Sequence, residues 1–188
     1  SVATAPAVVD ALCAALEEAQ GEARLSVLRL LGVSGGSKAL KAVRTAADSD
    51  EAAVRDTARR TLCAWPTAEA LPEVLELAKA PSGAPLKSVA LSGAVRMLGQ
   101  SGLSPDEVAA RYADLMSAAQ GSPDETKLVL SGLAQAAHPR ALELALAEVA
   151  NDAVRAEAVL AATAIASQLG DSAREDDSLF SGVDLTGW

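Results

Sequence analysis

Residues 48–65 read DSDEAAVRDTARRTLCAW. An Asp-rich turn leads into Val54-Arg55, and small and large apolar positions follow. Residues 151–166, NDAVRAEAVLAATAIA, repeat the pattern. Three further stretches align with one another: LLGVSGGSKAL (30–40), TLCAWPTAEAL (61–71) and GLAQAAHPRAL (132–142). Leu31 to Leu40, Leu62 to Leu71 and Leu133 to Leu142 each span nine residues. With Leu31, Leu62, Leu98, Leu133 and Ile165 as equivalent anchors, the repeats are separated by 31, 36, 35 and 32 residues. A drifting period in this range predicts stacked helical hairpins, none able to bury its apolar face alone.

The spacing inside each repeat is helical. Leu71, Val74, Leu75 and Ala78 form an i, i+3, i+4, i+7 stripe, and Leu25, Leu28 and Leu31 recur at intervals of three. SPDE occurs at 104–107 and at 122–125. Each copy places Ser at an N-cap, Pro at the first helical position and Glu at N3, the signature of a capping box. Thr67 and His138-Pro139 mark two more starts, and Gly21, Gly32, Gly35-Gly36, Gly99, Gly102, Gly121 and Gly170 mark stops or turns. The pattern predicts ten helices: 5–19, 22–33, 37–47, 50–64, 68–80, 85–99, 105–119, 123–137, 139–150 and 152–169. Strict 34-residue tetratricopeptide repeats are excluded by the drift and by the missing W-x2-L-G-x2-Y signature.

Over residues 1–170 these features resemble the HEAT-like, armadillo-type helical repeats. The resemblance implies an all-α fold, a right-handed α-solenoid (α-α superhelix) of about five hairpins. It also implies a ladder in which Asp50 with Arg55, and Asp152 with Arg155, take the usual turn-Asp and second-helix-Arg parts. Basic residues recur near the starts of the second helices at Arg55, Lys87, Lys127 and Arg155, with Arg24 as a looser match. Two roles are open to them: an internal ladder, or a basic stripe on a concave face that receives an acidic partner. Tyr112 is a further candidate contact on that face.

The composition narrows the function classes. The chain has 188 residues, a net charge of −9 and 2% aromatic residues. Nucleic acid and anionic membranes are poor partners for such a charge balance. The most apolar run, AVLAATAIA (158–166), falls far short of the roughly 20 residues needed to span a bilayer. No basic n-region marks a signal peptide at the start, although a leader removed earlier would leave no trace. Cys13 and Cys63 are too few for a disulfide framework and read as core or near-core thiols. One His and two distant Cys offer no metal-ligand spacing. No cofactor is expected.

Two motifs echo chemical signatures. GVSGG (32–36) matches G-x-S-x-G, but that elbow needs a strand before it, and VLRLL is helical in period. GVSGGSK echoes a phosphate-binding loop without its glycine at 37 or its hydroxyl residue at 39. Both read as a turn between helices. Glu17, Glu18, Glu73, Glu76 and Glu143 read as solvated helix faces, Met97 and Met116 as core, and Trp65 as a cap on an apolar seam.

After Gly170 the text changes. DSAREDDS (171–178) is polar and charged and reads as an acidic linker. LFSGVDLTGW (179–188) has β character and holds two of the four aromatics. It is similar to the LF-N-G-K-D-L-S/T-G-W opening of the 3-keto-disaccharide hydrolase family, a concanavalin-like β-sandwich. Leu179, Phe180, Gly182, Asp184, Leu185, Thr186, Gly187 and Trp188 match; Ser181 and Val183 depart from it. This resemblance implies a carbohydrate-active domain after residue 188 in a multidomain bacterial protein, with the start of that domain at 179–188, and an extracytoplasmic setting. The region itself is then expected to be a non-catalytic scaffold, with a protein or the downstream domain as its partner. The alternatives are a small-molecule lyase of the HEAT-like kind that acts on bilins, or a purely structural spacer.

Overall fold

The computed structural model describes residues 6–81 and 86–180, and every regular element among them is helical. Ten α-helices follow in order: α1 Pro6–Glu18, α2 Gly21–Ser34, α3 Ser37–Ala46, α4 Ala52–Cys63, α5 Leu71–Ala78, α6 Lys87–Leu98, α7 Pro105–Ala119, α8 Pro123–Leu133, α9 Pro139–Ala147 and α10 Arg155–Phe180. They fall into two compact units, Ser1–Gly102 and Leu103–Trp188.

Helix starts follow local chemistry. At α7 the Ser104 hydroxyl accepts from the Glu107 amide, while the Glu107 carboxylate accepts from the Ser104 amide at 3.0 Å and from its hydroxyl at 2.7 Å. Those bonds, the hydroxyl's first, hold the Glu107 carboxyl below its ordinary range. The second SPDE forms only half of a box. Ser122 accepts from the Glu125 amide at 3.4 Å, but its own amide donates to the Ala119 carbonyl at 3.2 Å, and Glu125 is buried. Helix α9 starts on an imidazole: His138 Nδ1 accepts from the Arg140 amide at 3.1 Å. Thr67 caps nothing. Its hydroxyl donates to the Glu69 carboxylate, and a 3-10 turn, Ala68–Ala70, precedes α5.

In the first unit α1 packs on α2 and α3, α2 on α3 and α4, α3 on α4, and α4 on α5 and α6; α5 and α6 pack on each other. In the second unit α7 packs on α8 and α9, α8 on α9 and α10, and α9 on α10. Within each unit alternate helices thus pack on one another: α2 on α4 and α4 on α6 in the first, and α8 on α10 in the second. All five sequence anchors are buried: Leu31, Leu62, Leu98, Leu133 and Ile165. Met97 and Met116 are core residues as expected; Trp65, read as a cap on an apolar seam, is fully buried, and its indole N–H has no acceptor among the described residues.

The second helices approach closely where side chains are smallest. A Cβ built on Gly32 of α2 would lie 2.4 Å from the Thr61 methyl of α4. One on Gly93 of α6 would lie 2.4 Å from the Cys63 carbonyl oxygen. The last carbonyls of one second helix are then satisfied by the next. Arg96 donates to the Cys63 and Trp65 carbonyls at 3.2 and 2.6 Å, and in the second unit Gln168 donates to the Ala134 carbonyl at 2.9 Å.

Two helix ends differ from the sequence reading by more than three residues. Helix α8 stops at Leu133, and its expected continuation to 137 is a turn. Helix α10 passes straight through Gly170 to Phe180. Residues 171–178, read as a linker, are therefore helical, and Leu179 and Phe180 close the helix instead of opening a strand. Residues 171–178 include no proline, and one glycine costs a helix only about 1 kcal/mol relative to alanine. Residues 181–188, which carry the rest of the β-sandwich resemblance, lie outside the described residues.

Candidate functional site

The five residues expected on a concave face do not share one environment. Arg55 donates to the Ser49 and Asp50 carbonyls at 2.7 and 3.2 Å. Arg155 donates to the Val149 carbonyl at 3.0 Å and pairs with the Asp152 carboxylate. Both arginines thus reach the carbonyl six residues back and fasten the turn ahead of their own helix. For Asp50 the partner group is its carbonyl, not the carboxylate that the ladder implied. Lys127 of α8 pairs with Glu157 of α10 at 3.2 Å. The Glu157 carboxyl lies below its ordinary value, chiefly through its own backbone amide and then through Lys127. Lys87 and Tyr112 are a correction: both are buried, so neither presents its side chain to solvent. Loss of hydration pushes the Tyr112 phenol up to about 12.

The residues with chemical potential are occupied by structure. Ser34 donates its hydroxyl to the Leu30 carbonyl at 2.8 Å within α2. Lys38, in the loop-like GVSGGSK motif, is held by Asp10 at 2.5 Å. His138 Nε2 lies 2.8 Å from Asp106. The Arg140 amide can only donate to Nδ1, so the neutral ring carries its proton on Nε2 and donates it to Asp106. Cys63 is buried, and desolvation pushes its thiol up to about 11, away from the thiolate that nucleophilic chemistry needs. Among the described residues no three His, Cys, Asp or Glu side chains group as a metal site, and no helix is long and apolar enough to cross a membrane.

Two grooves stand on the first unit. One, of about 380 Å³, lies among α3, α4 and α5 and has mixed charge, with Arg44 paired to Glu73 at 2.7 Å and with Asp48 and Glu76 beside them. The other, of about 480 Å³, lies between α2 and α4. Gly32, Thr57 and Thr61 floor it, Val33 and Pro66 wall it, and Arg29 and Arg60 rim it. The Thr61 hydroxyl donates to the Thr57 carbonyl at 2.8 Å, which leaves its methyl toward Gly32. The groove is therefore mostly apolar and carries no carboxylate. Val33 and Leu30 on α2 are exposed.

The rim belongs to a longer pattern that the repeat anchors disclose. Arg29, Arg60 and Arg96 each stand two residues before an anchor, on α2, α4 and α6. All three are exposed. Arg29 has no hydrogen-bond or ion-pair partner among the described residues. Arg60 is held through Nε by Asp56 at 2.9 Å, and Arg96 spends one terminal nitrogen on carbonyls. The corresponding positions in the second unit, Ser131 and Thr163, are neutral. Residues 23–47 hold five basic side chains and no acidic one, in a chain of net charge −9. The row lies away from the helix starts, so the basic residues recurring there do not include it.

Compared with protein-family models, curated proteins and solved structures, the chain matches none.

Proposed function

We propose that this region is a non-catalytic helical-repeat scaffold, a row of stacked hairpins that binds a partner protein on the outer face of its second helices. The observation that carries this reading is the order of packing inside each unit. Second helix packs on second helix while first helices α1 and α3, and α7 and α9, do the same, which is how a solenoid grows. Such stacking leaves one flank of every second helix uncovered, and Arg29, Arg60 and Arg96 lie there. Ser34, Lys38, His138 and Cys63 support a binding role over an enzymatic one, because each is engaged in or buried by the fold. A following carbohydrate-active domain remains part of the proposal through residues 179–188, and the coding sequence beyond Trp188 tests it.

The experiment is selection of displayed peptides against the intact chain. A binding scaffold enriches a shared motif, and charge reversal on the second-helix face abolishes capture while leaving the helical circular dichroism unchanged. Enrichment no greater than on a heat-unfolded control contradicts the proposal.

A further inference from the structure

We propose that the Arg29–Arg60–Arg96 row and the apolar α2–α4 groove together dock an extended acidic segment of a partner protein, with its carboxylates on the arginines and an aliphatic side chain in the groove. This rests on the scaffold reading above and names the face and the chemistry of its ligand.

Four observations lead there. The groove's lining is mostly apolar, since the Thr61 hydroxyl is already bonded to the Thr57 carbonyl and Gly32 offers no side chain. Its lining includes two guanidinium groups and no carboxylate. Arg29 has no partner among the described residues, and Arg60 and Arg96 each keep terminal N–H groups beyond the bonds they make, since a guanidinium carries five donors in a planar fork. The row is also periodic, one arginine on each of α2, α4 and α6. Packed helix axes lie about 8–10 Å apart, so the charges recur at about that interval.

This period selects a ligand geometry. A polyproline II segment repeats every three residues with a rise of about 3.1 Å each, so carboxylates at i, i+3 and i+6 stand about 9 Å apart on one side. In a β-strand, by contrast, i and i+3 point to opposite faces. The favoured segment therefore carries an acidic residue at every third position, with an aliphatic side chain between, in a stiff extended conformation.

The probe is a fluorescent nonapeptide, three repeats of Glu-Pro-Val, titrated against the intact chain by fluorescence anisotropy. Three controls accompany it: the Lys-Pro-Val analogue, a scramble with its three acids adjacent, and a single-stranded oligonucleotide of equal charge. We expect saturable binding of the Glu-Pro-Val peptide, weakened at least tenfold by Arg29→Glu with Arg60→Glu, and weakened as salt rises. Among the described residues Arg29 makes no bond and Arg60 only a surface pair, so the double variant keeps its helical signal and melting midpoint. An equal affinity of the double variant overturns the proposal. An equal affinity for the scramble overturns its periodic geometry, and tighter binding of the oligonucleotide overturns its partner class. If peptides from the displayed library bind while this probe does not, the scaffold reading stands and the assignment to this face fails. If neither binds, both fail.

Discussion

Replacing Gly93 with alanine sets two effects of opposite sign against each other. Gly93 lies inside α6, where alanine is favoured over glycine by about 0.8–1.0 kcal/mol in helix propensity. Against this, the new Cβ falls 2.4 Å from the Cys63 carbonyl oxygen, 3.2 Å from its carbon and 3.3 Å from its Cα. All three are backbone atoms of α4 and cannot rotate aside. Helix α6 must draw back by several tenths of an ångström, and overpacking of this kind costs about 1–3 kcal/mol. The same withdrawal stretches the Arg96 bonds to the Cys63 and Trp65 carbonyls, and bonds from a charged donor contribute about 1.5–3 kcal/mol each. The steric and hydrogen-bond losses outweigh propensity, and Gly93→Ala is expected to lose about 2 kcal/mol net. Urea unfolding followed by circular dichroism measures this as a lower midpoint with an unchanged slope. Gly170→Ala is the matched control, because its Cβ meets nothing within 4 Å, and it should gain up to about 1 kcal/mol. Gly32→Ala separates the causes further: its obstacle is the Thr61 methyl, which Thr61→Ser removes while keeping the hydroxyl bond to Thr57. Thr61→Ser should therefore rescue Gly32→Ala and leave Gly93→Ala unrescued. A Gly93→Ala protein as stable as the parent would refute the close α4–α6 approach on which this reasoning stands.

Other expectations are briefer. His138→Ala removes the cap on the Arg140 amide and the bridge to Asp106, and is expected to cost about 1 kcal/mol in thermal unfolding, with His138→Asn recovering the capping part. Because the Glu107 carboxyl is depressed in the folded chain, its contribution is present above the ordinary carboxylate value of 4.5 and is lost as pH falls through the lower folded value; the acid limb of a stability–pH profile should be shallower in Ser104→Ala. Arg55→Ala frees the Ser49 and Asp50 carbonyls and should lower stability by about 1 kcal/mol without changing the anisotropy titration. With its thiol buried and raised to about 11, Cys63 should resist a thiol reagent at pH 8 until urea unfolds the chain.

The helix starts were the most legible part of the sequence. Ser104-Pro105, Ser122-Pro123 and His138-Pro139 act within one turn, so their chemistry can be read from neighbours alone, and α7, α8 and α9 begin where those residues place them. The ends were less legible. Gly170 reads as a stop, yet an established helix propagates cheaply over a single glycine, and Asp171–Ser178 contains nothing that forbids a helical backbone. Burial on amphipathic helices was harder still. Lys87 and Tyr112 sit on plausible surface stripes, and only the packing of neighbouring helices determines that they are covered. The recurring Arg at second-helix starts was visible, but its use was not. A carbonyl six residues back is not a residue type, so no side-chain pattern marks it as the partner of Arg55 or Arg155.

The central feature of the proposed scaffold is the stacking of α2, α4 and α6 in a row. It is tested most directly by spin-label distances among positions 33, 64 and 100, each exposed and two residues after an anchor, with Cys13 and Cys63 replaced by serine. Neighbouring helix axes about 8–10 Å apart predict similar short 33–64 and 64–100 distances and a 33–100 distance close to their sum. Three nearly equal distances, as in a closed bundle, would contradict it.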